Sequence, residues 1–169
     1  MTIEHIEIPV LLNQLESSII EVMEQRRVSD PIIIGIHTGG VWVAEQLHQW
    51  LKIKEPLGLL DISFYRDDFS QIGVNPKVKQ SKLPLTVEGR DIILIDDVFY
   101  TGRTIRAALN EIFDYGRPRQ VILGVLIERN GRQIPIRPDC VGAEINLAVG
   151  QRIKLTGPEP LDVEIQSVA

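Results

Sequence analysis

The stretch Ile92-Ile93-Leu94-Ile95-Asp96-Asp97-Val98-Phe99-Tyr100-Thr101-Gly102-Arg103-Thr104 decides how this 169-residue chain reads. Ile92 to Ile95 form a short, mostly β-branched apolar run, as expected of a strand buried on both faces. The strand delivers two adjacent carboxylates, Asp96 and Asp97, to its carboxyl end. A short loop with hydroxyls and a glycine follows. A helix is predicted from Thr104, with Ile105, Ala108, Leu109, Ile112 and Phe113 at helical spacing. A helix N-terminus offers free N–H groups and a positive dipole end, which together make a phosphate site. Thr101 and Thr104 add hydroxyl donors, and Gly102 lets the backbone come close. Two acids just upstream would repel a phosphate at the same spot. They suit vicinal ribose hydroxyls, which donate hydrogen bonds, so a sugar phosphate fits both halves. The chain contains neither GxxxxGK[ST] nor GxGxxG, which excludes a P-loop and a dinucleotide fingerprint.

Outward from this stretch, strand and helix alternate. A helix is predicted from about Pro9 to Arg26 on the spacing of Leu12, Leu15, Ile19, Val22 and Met23. Asp30-Pro31 breaks it, and Ile32 to Ile36 reads as a second buried strand. His37-Thr38-Gly39-Gly40 reads as a turn, and Val41 to Leu51 as a helix. Leu59 to Phe64 alternates as a strand does. Gly116 with Pro118 stops the helix after the motif, and Val121 to Ile127 is a further strand. The last forty residues carry short apolar runs broken by glycine and proline, as short strands or loops. This order implies an α/β fold with a mostly parallel sheet. Ligands in such sheets bind beyond the strands' carboxyl ends, here the loops after Ile36, Phe64, Ile95 and Ile127. Residues 66–90 show no sustained period, and an irregular segment of that length suggests a lid.

Composition narrows the function. Apolar residues make up 44% and charged residues 24%, which supports one compact domain, residues 1–169. No apolar run approaches the roughly 18–20 residues that span a bilayer. The start, MTIEHIEIPV, lacks the features of a signal peptide, so a cytoplasmic location without membrane association is expected. The single cysteine, Cys140, excludes an internal disulfide, and His5, His37 and His48 are too dispersed to suggest a metal site. The first fifty residues hold two basic and seven acidic side chains, whereas the rest hold sixteen of each. A general attraction to nucleic acid is therefore excluded, and any such site must be a local patch of central and C-terminal arginines.

The motif resembles the phosphoribosyl-pyrophosphate (PRPP) signature of type I phosphoribosyltransferases. Further segments resemble the PyrR family: Asp61-Ile62-Ser63-Phe64-Tyr65-Arg66-Asp67-Asp68, Gly116-Arg117-Pro118 and Ile134-Pro135-Ile136-Arg137-Pro138-Asp139. That family comprises regulators of pyrimidine operons that also act as uracil phosphoribosyltransferases. The resemblance runs from about Ile32 to Lys154. It implies the type I phosphoribosyltransferase fold: a parallel sheet flanked by helices, a long flexible lid loop at about 66–90 and a small hood at about 128–169. It implies uracil, PRPP and UMP or UTP as ligands, Mg²⁺ as cofactor, an mRNA leader as a regulatory partner, and a homodimer or higher homo-oligomer.

The resemblance also implies roles. Asp96 and Asp97 would hold the ribose hydroxyls and, with Arg66, form the catalytic set. Tyr100, Thr101, Gly102, Arg103 and Thr104 would cradle the 5′-phosphate. His37, Thr38, Gly39 and Gly40 would bind pyrophosphate through backbone N–H groups, with a non-proline cis peptide worth seeking there; from the residues alone, a plain Gly-Gly turn reads equally well. Lys77, Lys79 and Lys82 would help a lid close, or be a solvated charged loop. Glu128, Arg129, Arg137 and Val141 would line the base site. Purine enzymes of similar build carry a lysine where this chain has Glu128, which points to a pyrimidine. Mg²⁺ would be bound mainly through PRPP, with its protein ligands unassigned. The sequence departs from the PyrR pattern at Gly39, usually arginine, and at Cys140, usually aromatic. Its N-terminal region is acidic where the family's RNA-binding face is basic. Two alternatives stay open: a regulator with weak or no catalysis, and a transferase for another base such as hypoxanthine or guanine.

Overall fold

In the computed structural model, residues 6–62, 81–83 and 86–168 are described. The first helix, α1 (Ile8–Gln25), has proline in its first turn, where a missing N–H is harmless, and buries Ile8, Leu11, Leu12, Leu15 and Ile19. Strand β1 (Ile32–Ile36) is buried at every position. Helix α2 (Gly39–Trp50) follows after two residues, so the expected turn shrinks to His37-Thr38 and both glycines are helical. Strand β2 covers only Gly58–Leu60. The strand expected from Leu59 to Phe64 is thus shorter where described, and its end lies outside the described residues. The expected lid lies largely outside them as well. Of its ends, Lys82 returns to β2 through an antiparallel bridge to Leu59, with both N–H···O bonds at 2.7 Å.

Strand β3 (Asp91–Phe99), helix α3 (Arg103–Tyr115) and strand β4 (Gln120–Arg129) form the central unit. The expectation that β3 ends at Ile95 is corrected: pairing with β4 continues to Phe99↔Glu128. The two acids therefore sit within the strand. Strand β5 (Cys140–Ile145) also joins this sheet, pairing in parallel with β4. The order is β2-β1-β3-β4-β5, with every pair parallel. Strands β6 (Gln151–Thr156) and β7 (Asp162–Ser167) form a separate antiparallel hairpin; the hood expected at about 128–169 is thereby narrowed to this hairpin, because the end of β4 and all of β5 belong to the main sheet.

Alternation along most of the strands splits the core. Ile33, Ile93, Ile95, Ile122 and Leu126 face α1, α2 and the hood's Ile153 and Leu155. Ile32, Ile34, Ile92, Leu94, Leu123 and Val125 face α3 through Ile105, Ala108 and Ile112. Each fully buried isoleucine contributes on the order of 2 kcal/mol, so the sheet is the most stable part of the molecule. The topology then places the site. From β1 the chain winds outward to β2, then returns to the other side of β1 as β3. The crevice between the carboxyl ends of β1 and β3 is the switch point, and it is open because the connections leave in opposite directions.

Candidate active site at the β1–β3 crevice

A cavity of about 820 Å³ lies at this crevice. Its walls come from Thr38, Gly39 and Trp42, from the run Asp96 to Gly102 with Thr104 and Ile105, and from Lys154 and Leu155 of the hood. Thus residues expected to bind ribose, 5′-phosphate and pyrophosphate share one space.

Local structure explains the arrangement. The His37–Thr38 peptide is cis, at the place where such a bond was sought. Thr38 is the N-cap of α2 and makes no capping bond with its own side chain. The first turn of α2 presses directly on β3. A Cβ built at Gly39 would lie 2.6 Å from Asp97 Cγ, and one at Gly40 would lie 2.8 Å from the Ile95 carbonyl oxygen. Only glycine permits that approach. Asp96 is buried, and its Oδ1 accepts a hydrogen bond from Asp97 N at 2.9 Å. Asp97 is half-buried, and its Oδ1 accepts from Val98 N at 2.9 Å. Each carboxylate is oriented by a backbone donor, with acceptor capacity remaining.

Gly102 enters α3 with φ of +95°, a left-handed conformation that favours glycine. The Thr101 hydroxyl accepts from Arg103 N at 3.2 Å. The loop is braced from outside by the β4–β5 connection. Gln133 N donates to the Thr101 carbonyl at 3.0 Å, and Arg103 donates to Gln133 Oε1 through Nε and NH2 at 3.3 and 3.2 Å. Tyr100 lies against Gly131, and the Arg129 guanidinium stands 3.9 Å from the Tyr100 ring centroid. Arg129 Nε has no hydrogen-bond partner and is the buried side-chain atom so placed among the described residues.

The expected base residues gather elsewhere. Glu128, Arg129, Arg137 and Val141 line a separate cavity of about 470 Å³ with Ser18, Asp139 and Glu144. Asp139 there is occupied structurally: it pairs with Arg26, the C-cap of α1, and accepts from Leu123 N at 2.9 Å. Cys140 beside it is buried, and burial pushes its thiol up to about 11, against a hydrogen bond with Ser18 that pulls it down. Arg66, Lys77 and Lys79 lie outside the described residues.

Sequence reading missed six wall residues: Trp42, Val98, Phe99, Ile105, Lys154 and Leu155. Lys154 is exposed and opens on the cavity. Its local signal is a lone charge between buried Ile153 and Leu155. Nothing local says which surface that strand covers.

Residues 7–153 match the family described as phosphoribosyl transferase domain. A bifunctional protein PyrR from Pseudomonas fluorescens is 53% identical over 159 residues, covering 94% of this chain and 95% of that protein. Another from Nitrosococcus oceani is 52% identical over 165 residues, covering 96% and 93%. Among solved structures, a hypoxanthine-guanine phosphoribosyltransferase from Bacillus anthracis superposes with a TM-score of 0.66 at 17% identity, over 84% of this chain and 80% of that one. A purine phosphoribosyltransferase from Pyrococcus horikoshii gives 0.58 at 20%, over 80% and 81%. The structural matches speak for the fold. With a family match over most of its length and half its residues shared with such relatives, the chain belongs to the PyrR family of type I phosphoribosyltransferases.

Proposed function

We propose that the protein transfers the phosphoribosyl group of PRPP to uracil, giving UMP and pyrophosphate, and senses uridine nucleotides to regulate pyrimidine genes. One observation carries the catalytic reading: the acid pair, the threonine-rich loop at the start of α3 and the cis-peptide turn line one cavity. The relatives called bifunctional support the pairing of catalysis with regulation.

The chemistry follows from what each wall offers. The start of α3, with Thr101 and Thr104, presents donors and a positive dipole end to the 5′-phosphate. Asp96 and Asp97, fixed by backbone donors, accept from the ribose hydroxyls. As the bond from the anomeric carbon to pyrophosphate breaks, positive charge develops on the ring. The two preoriented carboxylates stabilise it at no reorganisation cost. Uracil nitrogen forms the new bond to that carbon as its proton leaves, and pyrophosphate departs toward Thr38 and Gly39.

Mg²⁺ binds one or two carboxylates and substrate phosphates in sites of this kind. Among the described residues no group of three or more His, Cys, Asp or Glu is placed to hold a metal. The Asp96–Asp97 pair matches that modest protein share, with PRPP supplying the remaining oxygens. When bound, the ion neutralises the leaving group.

For regulation, UMP or UTP in the same cavity would bias a homo-oligomer toward binding an mRNA leader. The arginines available for RNA are partly committed. Arg119 pairs with Asp91, Arg132 donates to the Ile134 carbonyl, and Arg152 donates to Gln166. Arg117 and Arg119 lie just before β4 and Arg132 just after it, at opposite ends of the strand. Among the described residues no helix is long and apolar enough to cross a membrane, in keeping with a proposed cytoplasmic location.

The deciding experiment measures nucleotide formation from PRPP and Mg²⁺ with uracil, hypoxanthine or guanine. UMP formation alone supports the reading. Turnover with a purine only would replace uracil as the acceptor, and no turnover with intact UMP binding would leave the regulator.

A further inference from the structure

Among the described wall residues, acids outnumber cations at a site proposed for a strongly anionic donor. PRPP carries a phosphate and a diphosphate, and the walls present Asp96 and Asp97. Among the described wall residues Lys154 is the one lysine or arginine. The cation cannot come from position 39 in this packing, because a side chain there would run into Asp97, whose Cγ lies 2.6 Å from the built Cβ.

We infer that Lys154, reaching across from the hood, contributes a cation that meets the diphosphate of PRPP; this rests on the transferase reading above. The hood's position supports it. Three residues beyond Lys154, a Cβ at Gly157 would sit 3.3 Å from Trp42 Cε3. Strand β6 therefore lies over the first turn of α2, the end that begins at Thr38 and Gly39. The 5′-phosphate site at Thr101 to Thr104 is on the other wall, with its own donors. Buried Ile153 and Leu155 pin the strand on either side of the lysine. The ammonium itself makes no hydrogen bond or ion pair with any described residue. Its cross-strand neighbour, Glu164, accepts instead from Gln166 Nε2 at 3.0 Å. A lysine so placed is held by its backbone and left with three donors for an anion.

The test compares Lys154→Met and Lys154→Arg with the wild type. Calorimetry measures affinity for inorganic pyrophosphate with Mg²⁺, and separately for UMP. Steady-state assays give KM for PRPP and for uracil. Losing a charge-assisted hydrogen bond should weaken pyrophosphate binding about ten- to a hundredfold in Lys154→Met. KM for PRPP should rise in parallel, with UMP affinity and KM for uracil within about twofold, and Lys154→Arg should recover most of the loss. Unchanged pyrophosphate affinity in a folded Lys154→Met overturns the inference, and so does a rise confined to KM for uracil. A wild-type protein that binds neither pyrophosphate nor UMP overturns the transferase reading itself, and this inference with it.

Discussion

Gly39, at the first position of α2, and Asp97, on β3, are packed so closely that a Cβ on the glycine would lie 2.6 Å from the aspartate Cγ. The wall proposed for pyrophosphate and a carboxylate proposed for ribose are thus one contact. Substitution at 39 must displace the acid or the helix. Gly39→Ala is expected to lower kcat/KM by about five- to a hundredfold, as overpacking of this kind costs about 1–3 kcal/mol. The protein should remain folded, because the strain falls at the cavity rim. Steady-state kinetics with circular dichroism checks this. Full activity in Gly39→Ala would mean that Asp97 has room to move and that its position is not critical.

The carboxylates themselves are tested by Asp96→Asn with Asp97→Asn. Asparagine keeps the shape and an acceptor for Asp97 N and Val98 N but removes the charge. The contacts strengthen as the sugar becomes cationic, so kcat should fall by about a hundredfold or more. Unchanged turnover would remove the acids from the mechanism.

How much of this was legible depends on how local the cause is. The β3–α3 unit could be read because an apolar run, two acids and a loop-to-helix junction are all specified within thirteen neighbouring residues. The end of β3 could not. Asp96, Asp97 and Val98 look like a loop, but β4 supplies a partner through Phe99↔Glu128, and pairing overrides the polar pattern. Strand β5 was hidden for the same reason, since only a neighbour makes Cys140 to Ile145 a sheet edge. The hood's contribution was invisible because the placement of Lys154 depends on where a hairpin lands, some 60 residues along from Asp96–Asp97. Arg129, expected at the base site, lines one cavity with Glu128, Arg137 and Val141, and its stacking on Tyr100 is a contact that no local pattern announces.

That stacking leads to a third prediction. Tyr100 is held between Arg129 and Gly131, and the loop it begins is tied to the β4–β5 connection through Gln133. Removing the cation should loosen the phosphate loop without touching the acids. Arg129→Ala is expected to raise KM for PRPP about three- to tenfold, as for a cation–π contact of roughly 0.5–1.5 kcal/mol, with kcat changed less. Arg129→Lys should restore part of the effect. A rise in KM for uracil with no change for PRPP would return Arg129 to the base site.

The last prediction concerns Cys140, whose thiol is buried and pushed up to about 11 from its ordinary 9.0. Desolvation is the main cause, because the thiolate would lose water without gaining a cation of equal effect. The folded protein therefore holds this proton more tightly than the unfolded chain. Below pH 9.0 both forms keep it, and the thiol's contribution to stability is complete. As pH rises from there toward 11, the unfolded chain ionises first and the contribution is lost. The slope from this group is at most about 1.4 kcal/mol per pH unit. Tyrosines and lysines also titrate in that range, so the measurement is a difference. Urea midpoints of wild type and Cys140→Ala are compared at about pH 8 and about pH 10.5, the first below the interval where the linkage acts and the second well inside it. The wild type should lose more stability than the variant between the two. Alkylation by iodoacetamide should be slow in the native protein at the lower pH, since the thiolate is the nucleophile. Equal pH dependence in the two proteins, or rapid native alkylation, would place the thiol in solvent rather than against α1.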